Sequence, residues 1–340
     1  MEFVVTGASG FVGRGLLGFL TEHGHGGIAT GRRPPGGLPP GWRAAARDDV
    51  LAGRDGPSGP AVVVHLEVCQ HRPAPTAADI DDFRRVNIEG TRGWLDWAGR
   101  QGARRFVAVS SIKAAPADRA EQVADVSAST LRGPPDRQTA YGWSKAVGEV
   151  LVRDWAAAQE GREAVILRPA PVYGPGSGSN LAAFARQVVA GRPCLIGACD
   201  ARKSVVARRN LAAAIAWAGT RPAHGCRVYH VSDRETCSLG DLARMIADVA
   251  GAPPPRRIPQ GLARLIALFG DLATGVTRRE FPLTSPRLRA LLEPSEYPCD
   301  RLMAAGFVHP QSTRSGLEEM VAWMAAGEPS DQLDAGLRTA

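Results

Sequence analysis

The sequence predicts an α/β protein: a doubly wound parallel sheet followed by a smaller α/β lobe toward the C-terminus. Three observations carry that prediction. A strand runs through a glycine turn into a helix at the N-terminus, short apolar runs then alternate with helical stretches, and the alternation loosens after Tyr173. Strands interleaved with helices form parallel sheets covered on both faces, because each crossover helix packs back onto the sheet.

Residues 2–6 (Glu-Phe-Val-Val-Thr) read as a short buried strand, and Leu16, Leu17 and Leu20 recur at helical spacing just beyond it. Between them stands Gly7-Ala-Ser-Gly10-Phe-Val-Gly13. Glycines in such a turn let the backbone approach a pyrophosphate and let the helix pack close to the strand, while the N–H groups at the helix start face the phosphates. A dinucleotide site built by Gly7, Ser9, Gly10, Phe11, Val12 and Gly13 is therefore expected. Further strands are expected at 27–31, 61–66, 105–110 and 164–168, with helices near 80–100 and 140–158. The Pro/Gly-rich stretches 33–41 and 53–60 read as surface loops. Ligands in open parallel sheets sit at the carboxyl ends of the strands, so the glycine turn and Ser110-Ser111 should face one crevice.

With 340 residues, 44% hydrophobic and 22% charged, the chain is long and apolar enough to bury a substantial core. Its six cysteines include no CxxC pair, so neither a zinc site nor a disulfide framework is indicated; no metal site and a reducing, cytoplasmic setting are expected. The formal charge of +7 favours anionic ligands such as nucleotides. Dispersed arginines and 6% aromatic residues, with no stacking motif, argue against nucleic acid. No run of roughly 18 apolar residues suggests a membrane span. Residues 261–276 come closest, but Arg264 and Asp271 interrupt them, so they read as a buried or groove-lining amphipathic helix, with membrane-surface contact the lesser alternative.

Tyr141 and Lys145 stand four residues apart on the expected helix 140–158 and so project from one face. A phenol with a pKa near ~10 is a poor base at neutral pH unless a cation favours its ionised form, and Lys145 is placed to supply one. The pair can therefore exchange a proton with a substrate hydroxyl or carbonyl.

In order and spacing, several segments resemble the extended short-chain dehydrogenase/reductases of the NAD-dependent epimerase/dehydratase type. They are Thr6 to Gly13, Val86-Asn87-Ile-Glu-Gly-Thr91, Val109-Ser-Ser111, Tyr141-x-x-x-Lys145 and Arg168-Pro-Ala-Pro-Val-Tyr-Gly-Pro175. Matches continue through Val231-Ser-Asp233, Ser238 to Leu242, Asp300 to Phe307 and Gly316 to Trp323, so the resemblance covers nearly the whole chain. It is closest to bacterial nucleotide-sugar 4-epimerases and 4-keto reductases. The resemblance implies a Rossmann-type NAD(P)-binding domain over 1–173, to which parts of 204–232 return, a substrate lobe over 174–326 and a tail over 327–340.

Residue by residue, the resemblance implies Tyr141 as general acid/base, Lys145 as the group that lowers its pKa and holds the nicotinamide ribose, and Ser111 as the hydroxyl orienting the substrate oxygen. Ser110 is the alternative, since adjacent strand residues face opposite ways. It further implies that Asn87 braces the strand beside the site, that Leu66 lies along the cofactor, that Asp49 (or Asp48) contacts adenine, and that Asn180 and Arg202 bind the phosphates of a nucleotide sugar. Members of the group often form dimers through the helix carrying the tyrosine, so a homodimer is an open expectation.

An acid after the second strand would select NAD and arginine would suit NADP; Arg32-Arg33 stand there, so NADP is slightly favoured over NAD. Dehydratases of the family place Asp-Glu after the catalytic hydroxyl residue, whereas Ile112-Lys113 follow Ser111, which leaves epimerisation or reduction at carbon 4 of the sugar. Two departures stand out. Glu67 replaces the small residue expected near the cofactor, where it would repel the pyrophosphate or pair with an arginine, and Arg209 replaces an acid before Asn210-Leu211. A regulator or scaffold of the same fold that has lost catalysis is the alternative from another functional class.

Overall fold

The computed structural model describes residues 1–72, 75–115, 122–123, 134, 136, 139–192, 195–277, 281 and 283–327. All of the expected tail beyond residue 327 lies outside the described residues, as does Cys194. The strands are β1 (Glu2–Thr6), β2 (Gly26–Gly31), β3 (Trp42–Ala46), β4 (Ala61–His65), β5 (Arg105–Val109), β6 (Glu163–Pro169), β7 (Val172–Tyr173), β8 (Leu195–Ile196), β9 (Arg202–Lys203), β10 (Val206–Ala207), β11 (Gly225–Val231), β12 (Cys237–Ser238) and β13 (Arg257–Ile258). The helices are α1 (Phe11–Glu22), α2 (Arg47–Leu51), α3 (Ala77–Asp82), α4 (Gly90–Arg100), α5 (Ala140–Ala157), α6 (Asn180–Val189), α7 (Arg208–Thr220), α8 (Leu239–Ala250), α9 (Gln260–Thr277), α10 (Ser285–Leu292), α11 (Asp300–Ala304) and α12 (Thr313–Ala325).

Seven strands form one sheet in the order β11-β6-β5-β4-β1-β2-β3, and every pairing is parallel. The order reverses at β1, the topological switch point where ligands of such sheets bind. The strands read as near-continuous apolar runs because both faces are covered. Their residues divide by the two-residue period: Phe3, Val5, Val62 and Val64 pack under α1 and α7, while Val4, Val63 and Phe106 pack against Trp94, Trp97 and Trp155 of α4 and α5. The sheet is Rossmann-type, as expected. Its last strand, β11, arrives late in the chain and lies beside β6.

The expected helix near 80–100 is a composite: α3 passes through a π-helical stretch, Phe83–Glu89, into α4. Widened turns of this kind recur at functional sites. Beyond Tyr173, the elements α6, α8 and α12 enclose a separate apolar cluster with Leu195, Val205 and Cys237.

The expectation for residues 261–276 requires correction. Ala263, Ala267 and Gly270 are the inward side of α9, while Leu262, Leu265, Leu268, Phe269 and Leu272 are exposed. Of these exposed residues, Leu268 lines a groove against α10. Small residues allow the helix to sit close to Leu288, and the larger apolar side chains are turned outward.

Candidate active site

The glycine turn is built as the chemistry requires. Gly7 has φ +63°, and a β-carbon there would lie 3.0 Å from the backbone of Leu66 and Glu67. At Gly13 it would lie 2.6 Å from the Gly7 carbonyl oxygen, so only glycine lets α1 close on the turn. Gly10 is the N-cap of α1, and no described side chain caps it, which leaves first-turn N–H groups at Phe11, Val12 and Gly13 for an anion. Ser9 faces the end of β2, its hydroxyl 3.6 Å from where a Gly31 β-carbon would stand, and exposed Arg32 and Arg33 follow that strand.

Two cations beside this turn were not singled out from the sequence. The Arg208 guanidinium lies over the Phe11 ring at 5.2 Å, and Arg14 donates to the Ser9 carbonyl at 3.4 Å. Arg208 stands beside Arg209 in the sequence, but neither it nor Arg14 was linked there to the cofactor; the fold brings both to the helix N-terminus. A cradle of glycine backbone with adjacent arginines fits the diphosphate of a dinucleotide. Asp49 follows β3 on α2, but its carboxylate accepts two hydrogen bonds from Arg54 (2.8 and 2.6 Å), and Asp48 is exposed.

Behind the turn, Thr6 accepts hydrogen bonds from the N–H groups of Leu66 and Glu67, both at 3.1 Å. Its hydroxyl meets His65 Nδ1 at 3.0 Å, and His65 Nε2 meets Thr91 Oγ1 at 3.0 Å. Thr91 donates to the Asn87 carbonyl (2.7 Å), so it must accept from Nε2–H, and Thr6 donates to Nδ1. One neutral tautomer satisfies the chain, in keeping with burial that holds His65 down at about 3. Asn87, on the π-helical stretch, accepts from Cys69 N–H (2.7 Å) and donates to the Cys69 carbonyl (3.1 Å) and to Ser144 Oγ (2.9 Å). It thereby ties the segment after β4 to α5, the bracing role the resemblance implies.

Glu67 does not project a free charge at the cofactor turn. Its carboxylate accepts from Trp94 Nε1 at 2.9 Å and pairs with Arg47 Nε at 3.2 Å, the second of the two outcomes considered for it.

Tyr141 and Lys145 open α5 and lie one turn apart at the carboxyl end of β5. The Tyr141 phenol lies beside the Ser111 side chain, which opposes the rise in its pKa. Ser110 faces the other way, donating to Glu149 Oε1 at 2.5 Å, and Ser111 is the serine on the Tyr141 side. Lys145 is buried, and its ammonium donates to the Val109 carbonyl at 2.8 Å. Burial lowers it to about 8, an effect that nearby Glu149 opposes. Burial likewise raises Tyr141 to about 12, partly offset by the Ser111 side chain. The lowering of the phenol by Lys145 that the sequence suggested is absent from this geometry, in which the ammonium is turned to a carbonyl; the phenol is held as a proton donor at neutral pH. The edges of the His71 and Phe83 rings approach Tyr141 at 5.6 and 5.9 Å between centroids.

Gly142 sets the distance between the helix and the serine. A β-carbon there would stand 2.3 Å from the Lys113 carbonyl oxygen, in the turn that follows Ser111. Gly142→Ala is therefore expected to push α5 from that turn, costing about 1–3 kcal/mol of stability and weakening the Ser111–Tyr141 contact. Chemical denaturation together with turnover of the variant checks this.

Beneath the site Arg168, fully buried, binds Glu149 through Nε (2.9 Å) and Nη2 (2.5 Å). On the outer side, Asp233 gathers Tyr173 Oη (2.8 Å), the Ala207 N–H (2.9 Å), Asn210 Nδ2 (2.7 Å) and Thr313 Oγ1 (3.2 Å). The Arg209 departure is thereby resolved: Asn210 finds its acid at Asp233, while Arg209 pairs with Glu22 at 2.7 Å over the Phe19 ring. Asn180 is exposed in the first turn of α6. Arg202 borders a cavity of about 440 Å³ and is held by Glu296 (3.1 Å) and the Thr236 carbonyl (2.7 Å). Among the described residues no hydrogen bond or ion pair joins Asn180 or Arg202 to Tyr141, Ser111 or Lys145.

Comparison with known proteins gives this constellation a context. The chain is 24% identical over 277 residues to an N-acetyl-alpha-D-glucosaminyl-diphospho-ditrans,octacis-undecaprenol 4-epimerase of Escherichia coli O157:H7, covering 80% of this chain and 78% of that protein. It is 27% identical to a ceramide reductase of Caulobacter vibrioides, covering 95% of this chain and 94% of that one. The fold superposes on a UDP-N-acetylglucosamine 4-epimerase from Bacillus cereus with a TM-score of 0.69 at 16% identity, over 95% of this chain and 99% of that one. The profile of the NAD dependent epimerase/dehydratase family matches residues 3–232, and the chain belongs to that family.

Proposed function

We propose that this protein transfers a hydride between NAD(P) and carbon 4 of a nucleotide-linked sugar, with Tyr141 and Ser111 handling the proton at the sugar oxygen. The observation that carries the reading is the gathering of Ser111, Tyr141 and Lys145 at the end of β5, with the Lys145 ammonium on the Val109 carbonyl one helical turn from the tyrosine. The bound nicotinamide supplies the hydride. Ser111 orients the substrate oxygen, and Tyr141, kept protonated by burial, donates its proton to that oxygen as the carbonyl becomes an alcohol. Lys145, one turn further along α5, holds its ammonium on the Val109 carbonyl at the end of β5. A phenol protonated at neutral pH favours the reductive direction over an epimerase's initial oxidation.

Arg32 and Arg33 at the end of β2 support NADP. The variant carrying Arg32→Ala and Arg33→Ala is expected to lose roughly 10- to 100-fold in NADPH affinity, from charge-assisted contacts of about 1.5–3 kcal/mol, with NADH affinity unchanged. Titration calorimetry with both nucleotides checks it, and equal losses for the two would remove the NADP preference.

A second reading is favoured by the outward apolar row of α9 and by the two relatives named above, whose names specify a polyprenyl-linked sugar and a ceramide. In it the carbonyl is carried on a lipid. Assaying the purified protein with a UDP-4-keto sugar and NADPH, with UDP-glucose and NAD, and with a long-chain 3-oxo lipid and NADPH separates the readings. Turnover of the lipid alone would replace the nucleotide-sugar reading.

A further inference from the structure

On α9, Leu262, Leu265, Leu268, Phe269 and Leu272 are between 51% and 66% exposed. Their spacing places them along one stripe of the helix, and buried Ala263, Ala267 and Gly270 occupy the opposite side. The apolar side chains of this helix are thus presented outward by its own packing. A contiguous row of large exposed apolar residues marks an interaction surface rather than the ordinary scatter of single surface leucines.

The charge around the stripe says what it meets. Among the described residues of 256–292, five arginines (256, 257, 264, 287 and 289) stand against one acid, Asp271. Asp271 is turned inward, accepting from the Ser285 N–H at 3.0 Å and from Ser285 Oγ. Exposed Arg264 and Arg289 border a groove of about 500 Å³ between α9 and α10, floored by Leu268, Leu288 and Leu292, with Glu293 among its lining residues. Leucines flanked by arginines match an acyl layer beneath anionic headgroups. A stable dimer engages roughly 20–30 residues a side, far more than one helical stripe offers.

We propose that the α9 face, with Arg264 and Arg289 at its edge, docks on the surface of a membrane containing anionic phospholipid, holding the enzyme against the bilayer without crossing it. No helix among the described residues is long and apolar enough to cross a membrane. The proposal stands on this surface alone and is independent of the substrate assigned above.

The test is co-sedimentation of the full chain with vesicles of phosphatidylglycerol and phosphatidylcholine in equal parts, against vesicles of phosphatidylcholine alone. Binding to the anionic vesicles is expected to be at least tenfold stronger and to fall as salt rises. The variant L265D/L268D is expected to lose at least tenfold, and R264E/R289E about fivefold or more per arginine, with melting temperature and turnover of a soluble substrate unchanged. Absence of wild-type sedimentation, or sedimentation indifferent to both variants, overturns the proposal. So does a wild-type dimer in light scattering that L265D/L268D converts to monomer, which would assign the face to a second copy of the chain.

Discussion

Tyr141→Phe is expected to lower kcat by about a hundredfold to ten-thousandfold, the usual contribution of a positioned general acid or base, while dinucleotide affinity and melting temperature stay near wild type. The substitution removes one oxygen from a ring whose packing against Phe83 and His71 is otherwise kept. Ser111 loses the phenol but retains the Lys113 N–H at 3.2 Å, so the local turn persists. Single-turnover hydride transfer, followed by nicotinamide absorbance, is the measurement; unchanged turnover would sink the acid/base assignment and leave the non-catalytic alternative standing. The wild-type pH profile adds a second reading of the site. Because burial lowers Lys145 from 10.5 to about 8, its charge is present below that value and lost above it. Reductive turnover is therefore expected to hold up to about pH 8 and to decline beyond. With Tyr141 raised to about 12, the phenol itself stays protonated across that range.

The largest stability effect is expected at Arg168→Met. Arg168 and Glu149 are 0% and 2% exposed, and the arginine binds both carboxylate oxygens. Removing the guanidinium strands a buried carboxylate that keeps, among the described residues, the hydrogen bond from Ser110. Breaking a buried pair from one side costs about 3–5 kcal/mol, and urea denaturation would register it as a lowered midpoint. Replacing Glu149 as well removes the stranded charge, so the double variant is expected to recover much of the loss. A single-variant cost under about 1 kcal/mol would show that water reaches the carboxylate. The pair is also anchored in the helix that carries Tyr141 and Lys145: Glu149 is one turn beyond Lys145, and Ser110, its other donor, precedes Ser111. A drop in kcat at temperatures where the variant is still folded would reveal that positional coupling.

The glycine turn and the parallel, doubly wound character of the sheet were legible in the sequence because both follow from local rules, whereas β3 and β11 and the strand order came from the fold. A tight turn needs glycine at fixed offsets, and a strand covered on both faces is continuously apolar. The register of Tyr141 and Lys145 was legible for the same reason, since helical spacing alone puts them on one face. The choice between Ser110 and Ser111 was narrowed by strand alternation, but the buried carboxylate of Glu149, 39 residues away in sequence, decided it. The direction of the pKa shifts was not legible. Lys145 was expected to draw the phenol down, yet burial outweighs it, and burial is a property of the folded surroundings rather than of two neighbouring residues.

Glu67, Arg209 and α9 show the same boundary from the other side. The sequence marked Glu67 and Arg209 as departures, and only the fold supplied their partners, Arg47 with Trp94 and Glu22 with Phe19. For α9 the amphipathic period was visible, but a hydrophobic stripe does not say which way it faces. By itself, the sequence carried the α/β class, the glycine turn and the helical spacing of Tyr141 and Lys145, since each rests on residues close together in the chain. Tertiary structure alone decided which charges are neutralised, which serine meets the tyrosine and which side of α9 meets solvent. Those outcomes depend on groups brought together from distant parts of the chain, and the chain's local pattern carries no record of that meeting.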